Sequence, residues 1–101
     1  MNELEKIAPD PAIHRFIGTS FDLSDRIHEI LESKGLTQKD LAEMIGKKES
    51  QVSKWMTGTH NFTIRTLALI EVKLGVSIFQ VTSGPFEPVK NDLEEPADIL
   101  E

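Results

Sequence analysis

The sequence predicts an all-α fold, a small bundle of about five short helices with a helix-turn-helix unit, and a possible short C-terminal strand. Two observations carry this expectation. Apolar residues recur at three- and four-residue spacing in successive short stretches, as a helix with one buried face requires. These stretches are punctuated by glycines at 35, 46, 58 and 75, the residue type best suited to leaving a helix through the left-handed region.

Residues 1–21 form a lead-in with Pro9, Pro11 and Gly18, in which a short helix is expected near 12–17. Asp22 and Asp25 make a plausible N-cap pair for a helix over 23–34, with Leu23, Ile27, Ile30 and Leu31 on one face and Gly35 after its end. Thr37 and Asp40 have capping-box spacing, and Leu41, Ala42 and Ile45 share a face, which predicts a second helix over 38–45 stopped by Gly46. A third short helix, 49–56, follows the basic connector Lys47–Lys48 and buries Val52, Trp55 and Met56. The run Asn61–Phe62–Thr63 starts a fourth, 64–74, with Ile64, Leu67, Ile70 and Leu74 inward. The segment VSIFQV reads either as a strand of about five residues or as a last helical turn. Three segments are therefore expected: the lead-in 1–21, a folded domain 22–82, and a Pro-containing acidic tail 83–101 whose low hydrophobicity predicts mobility.

The length of 101 residues suits one domain. With 11 Lys+Arg against 17 Asp+Glu the net charge is −6, which argues against non-specific coating of nucleic acid and against a basic membrane-surface peptide. The charge is uneven: residues 1–35 carry −3, residues 36–66 carry +2 and residues 67–101 carry −5. A polyanion contact confined to the middle fits this distribution. There is no cysteine, which excludes disulfide frameworks, thiolate metal sites and cysteine nucleophiles. No apolar run approaches the roughly 20 residues of a membrane span, and no basic segment followed by an apolar one opens the chain, so a cytoplasmic location is expected.

The informative stretch is LTQKDLAEMIGKKESQVSKWMTGTHN, residues 36–61. Gly46 supplies the turn, and small Ala42 lets two short helices approach closely. The outward face of the third helix holds Glu49, Ser50, Gln51, Ser53 and Lys54, with Thr57 just after it. These polar side chains suit the donor and acceptor pattern of base-pair edges in the major groove.

Here the chain resembles the Cro/C1-type (XRE) helix-turn-helix family, whose fold is lambda-repressor-like. The resemblance runs through Leu36, Thr37, Gln38, Leu41, Ala42, Gly46, Val52, Trp55 and Gly58, then Leu67 and LGVS at 74–77, and covers about residues 23–80. Two positions depart from the pattern: Met56 stands where the family often has Glu, and Lys47–Lys48 precede Glu49 where Ser or Thr commonly caps the helix.

The resemblance implies a DNA-binding regulator whose second motif helix enters the major groove. It places Gln38 at the phosphate backbone, Glu49, Ser50 and Lys54 at base edges, and Gln51 and Ser53 at either, and it counts Lys48 among the DNA-contacting residues. Thr57, Thr59, His60, Asn61 and Arg65 fall at further backbone contacts. It also implies a homodimer on an inverted repeat. The expected dimer surface runs from the helix over 64–74 to Val81, because Val76, Ile78, Phe79 and Val81 exceed what so small a core can hide. Within the family the chain looks like a HigA-like antitoxin that represses its own operon and neutralises a small basic toxin, a partner suited to the acidic ends. Two readings compete with this: a free-standing repressor or activator with no protein partner, and a protein-interaction module of the same fold that neutralises a basic partner without binding DNA.

No enzyme site is evident. Ser50 and Ser53 lack a His–Asp partnership, Glu29 and Glu32 read as a solvated face, and His14 and His28 lack companions at metal-ligand spacing. No cofactor or metal is expected. Trp55 shares a face with Val52 and is read as core.

Overall fold

Asp10 opens the first helix. Its carboxylate accepts a hydrogen bond from the Ala12 N–H at 2.8 Å, and Pro11 occupies the first helical position, where its missing N–H is not needed. From there α1 runs unbroken over Pro11–Lys34, 24 residues or about 36 Å at 1.5 Å per residue. The computed structural model describes residues 10–89.

This single helix corrects the expected short helix near 12–17 and the separate helix start at Asp22, and it runs across residues 21 and 22. Asp22 is an exposed residue within α1 and caps nothing. The physical reason is continuity of phase. Ile13, Phe16 and Ile17 lie in register with Ser20, Ser24, Ile27 and Leu31, so one face serves throughout. Gly18 alone costs a helix only about 1 kcal/mol, too little to end it. Gly35, with φ 67°, terminates α1 by donating to the Glu32 carbonyl, and Leu36 N–H returns to the Leu31 carbonyl at 2.9 Å.

α2 spans Gln38–Ile45. Thr37 and Asp40 cap it reciprocally: the Asp40 N–H donates to Thr37 Oγ1 at 3.1 Å, and the Thr37 N–H donates to Asp40 Oδ2 at 2.8 Å. That second bond, followed by the contact with the Thr37 side chain, holds the Asp40 carboxyl below its ordinary range. α3 spans Glu49–Trp55, with Met56 as its C-terminal cap residue. α4 spans Ile64–Leu74, capped by Thr63, whose Oγ1 accepts from the Thr66 N–H at 3.1 Å.

Four helices, not five, make up the described residues, and none of those residues is in a strand. The segment at 76–81 stays irregular because no second strand exists there to complete its backbone pairing. It is pinned by other means. The Ile78 N–H donates to Glu71 Oε2 at 2.8 Å, and the Ile78 side chain enters the core.

One core joins the four helices and this segment, centred on Ile27, Leu41, Val52 and Ile70, each fully buried. Ile64, expected inward, is 75 % exposed, and Leu23 and Met56 are half-buried against the edge of the core. Ile64 begins α4, where no other element lies over it to bury its side chain. Residues 83–89 of the expected tail are exposed and irregular, while residues 1–9 and 90–101 of the expected terminal segments lie outside the described residues. Among the described residues, no helix is long and apolar enough to cross a membrane.

Candidate nucleic-acid interface

The turn between α2 and α3 is built by Gly46 at φ 71°. A side chain in that conformation would be strained by roughly 1–2 kcal/mol. From this turn the Lys47 N–H reaches back to the Ala42 carbonyl at 2.9 Å, so the chain leaves α2 while still answering one of its last acceptors. Ala42 is 2 % exposed, and its small side chain lets α3 pack closely across α2.

α3 has only seven residues. Val52 and Trp55 face the core, and Glu49, Ser50, Gln51, Ser53 and Lys54 are all exposed. Its first turn is held by Gln51, whose Oε1 accepts the Lys48 N–H at 3.1 Å. Lysine has no acceptor with which to return that bond, so the cap is one-sided. Half of the Gln51 amide is thereby committed to the protein's own backbone, and its NH2 group remains for a ligand.

At the other end the last four carbonyls of α3 all find donors. Those of Val52 and Ser53 accept from the Met56 N–H, each at 3.2 Å. That of Lys54 accepts from the Thr57 N–H at 3.2 Å and from the Thr57 hydroxyl at 2.7 Å. The carbonyl of Trp55 accepts from the Ser24 hydroxyl of α1, also at 2.7 Å. Just beyond, Gly58 has φ 93° and lies against the Phe21 ring so closely that a β-carbon on residue 58 would collide with it.

Three rings close the turn that follows. His60 packs edge-on to Phe62 with ring centroids 4.8 Å apart, and Trp55 lies 5.8 Å from His60 and 6.0 Å from Phe62. Burial in this cluster lowers the His60 pKa from 6.5, which favours the neutral ring.

The remaining candidates fall on surrounding segments. Gln38, half-buried, is the first residue of α2. Lys48, Thr57 and Asn61 are exposed in the connections flanking α3, and Arg65 is exposed in the first turn of α4. No ion pair with another described residue engages Lys47, Lys48, Lys54 or Arg65. The ion pair among the described residues, Arg26 with Glu29 at 3.5 Å, is on α1.

Sequence reasoning missed Phe21 and Ser24, which support α3 from a distance. A signal for Ser24 was present: Ser20 and Ser24, four residues apart, lie on the face of α1 that buries Ile27 and Leu31. A serine at a core position usually has a backbone acceptor to answer.

A short polar helix, carried on a tight glycine turn and exposed along its outer face, defines a helix-turn-helix unit. Residues 27–81, more than half of the chain, match the helix-turn-helix family of Cro/C1 type, and the protein belongs to that family. Membership supports the general class of DNA-binding regulator. No curated protein and no solved structure matches the chain.

Proposed function

We propose that this protein is a sequence-specific transcriptional regulator that binds an inverted repeat as a homodimer, with α3 in the major groove. The observation that carries the reading is the division of α3 into a buried pair, Val52 and Trp55, and an exposed polar face containing Ser50 and Lys54. On this reading Lys54, Ser50 and Glu49 read base edges, with Lys54 donating to guanine and Glu49 accepting from cytosine. Gln51 and Ser53 reach bases or phosphates, while Gln38, Lys48, Thr57, His60, Asn61 and Arg65 set position on the backbone.

The dimer surface of this proposal is narrower than the sequence implied. Ile78 is buried in the chain's own core and is unavailable to a second copy. Val72 at 77 %, Val81 at 86 % and Phe79 at 38 % exposure offer apolar area along α4 and the segment after it. Val76 is half-buried.

Within this class we propose a HigA-like antitoxin that represses its own operon. The support is the outer face of α1, where Asp22, Asp25, Glu29 and Glu32 recur at three- and four-residue spacing and are exposed. They lie opposite Ile27 and Leu31 and suit a small basic partner. Co-expression with the adjoining reading frame tests this, since a small basic protein should co-purify and its toxicity should be suppressed.

Selection of bound duplexes from a random pool tests the DNA reading. The expected result is a palindromic consensus with half-sites about 34–36 Å apart, bound with an affinity that falls steeply with salt. An absence of any binding would favour the module that engages only a basic protein.

A further inference from the structure

We infer that Ser24 and Phe21 of α1 are positioning residues for DNA reading: together they set the angle at which α3 is presented. The inference rests on the DNA-binding reading proposed above and identifies what that reading requires from outside the motif.

A two-turn helix has little stability of its own, so its orientation is decided by what holds each end. The N-terminal end of α3 hangs from α2 through the Gly46 turn. The C-terminal end is attached to α1 at two points. The Ser24 hydroxyl donates to the Trp55 carbonyl, with Ser24 only 1 % exposed, and the Phe21 ring covers Gly58. Phe21 and Ser24 are three positions apart, one turn of the same rod, so the two attachments act together. Ser24 is the one donor to the Trp55 carbonyl among the described residues. Its removal leaves that carbonyl buried without a partner.

The geometry makes small errors consequential. Seven residues at 1.5 Å each give α3 a length of about 10 Å. A tilt of about 10° about one end displaces the other by nearly 2 Å, enough to break hydrogen bonds that need about 2.7–3.2 Å. Phosphate attraction, which is long-ranged and tolerant of position, would survive such a tilt; base-edge contacts would not. The expected signature is loss of sequence preference with retention of non-specific affinity.

The test compares the full chain with Ser24→Ala and Phe21→Leu variants on the selected operator and on an unrelated duplex, at one salt concentration and at a temperature where circular dichroism shows all proteins folded. Ser24→Ala should lose about tenfold or more on the operator and less than about twofold on the unrelated duplex, a tenfold change being 1.4 kcal/mol. In a Lys54→Ala background the same change should cost the operator much less, because residues acting through one contact are not additive. Hydrogen exchange at the amides of Val52–Gly58 should quicken in Ser24→Ala while those of Leu41–Ile45 hold. Phe21→Leu, which keeps apolar cover over the turn, should show the same pattern more weakly.

Equal losses on both duplexes, unchanged operator affinity, or unaltered exchange in α3 would each overturn the inference. If the wild-type chain itself discriminates no duplex, the DNA reading fails and the inference with it. If the wild type discriminates and Ser24→Ala does so equally well, only the inference fails.

Discussion

At its N-terminal end α3 depends on the neighbouring Gly46 turn and on Gln51, three positions from Lys48. At its C-terminal end it depends on Ser24, 31 positions away, and on the approach of Phe21 to Gly58. The local attachments form with the helix itself and have small individual energies. The distant ones exist only once α1 has docked; the Ser24 hydroxyl is buried, and the contact of Phe21 with Gly58 leaves no room for a β-carbon. The comparison predicts that damage at the near end is mild and that damage at the far end is severe.

The largest expected effect is therefore at Gly58. Gly58→Ala combines an unfavourable positive φ with a collision against the Phe21 ring, and should lose roughly 2–4 kcal/mol in urea unfolding. Adding Phe21→Ala should recover the steric part and leave the backbone part. Full recovery would mean that φ 93° is not strained there.

Lys54→Ala leaves both ends of α3 attached and alters only its outer face. It should cost about 1–3 kcal/mol on the preferred duplex and relax preference at one base position. Equal weakening on all sequences would reassign Lys54 to a phosphate. Gln38→Ala, outside α3, should weaken binding uniformly without changing the selected consensus.

Gln51→Ala removes the cap at the near end and should lower unfolding stability by only about 0.5–1 kcal/mol. A loss as large as that of Gly58→Ala would erase the distinction between the two ends.

The smallest effect concerns His60. Its folded-state pKa lies below 6.5 because the ring is partly buried, so protonation favours the unfolded chain. The stability contributed by the neutral ring is complete above about pH 6.5 and is lost as pH falls through the lower folded-state value. Unfolding midpoints measured from pH 7.5 to 5 should decline for the wild type and decline less for His60→Phe. Asp40 has a lowered pKa too, but its ordinary value is 3.8, so its stabilising contribution disappears only at more acidic pH.

The motif was legible because its devices are local. The Thr37–Asp40 capping box, the glycine at 46, and the buried spacing of Val52 and Trp55 all involve residues within four positions of one another, and the structure contains each of them. The start of α1 is illegible for the same reason. Asp22 and Asp25 have the local form of a cap, yet the true cap is Asp10, and continuity of the apolar face through Gly18 outweighed the local signal. The apolar segment around Ile78 reads locally as a dimer surface, whereas the Glu71 carboxylate accepts a hydrogen bond from the Ile78 N–H and the side chain lies in the core. The candidate site was legible as a set of polar residues on one helix. The lowered pKa of His60 and the one-sided commitment of Gln51 emerged only from their packing and hydrogen bonds.

Sequence by itself determined that this chain forms short helices around a glycine turn and that one of them turns a polar face outward, because helical periodicity and capping operate over a few residues. Only tertiary structure decided how long α1 is, which apolar segment joins the core, and what anchors the far end of α3. Those outcomes depend on atoms distant in sequence competing for the same buried space and the same unanswered carbonyl, a competition no short stretch of residues records.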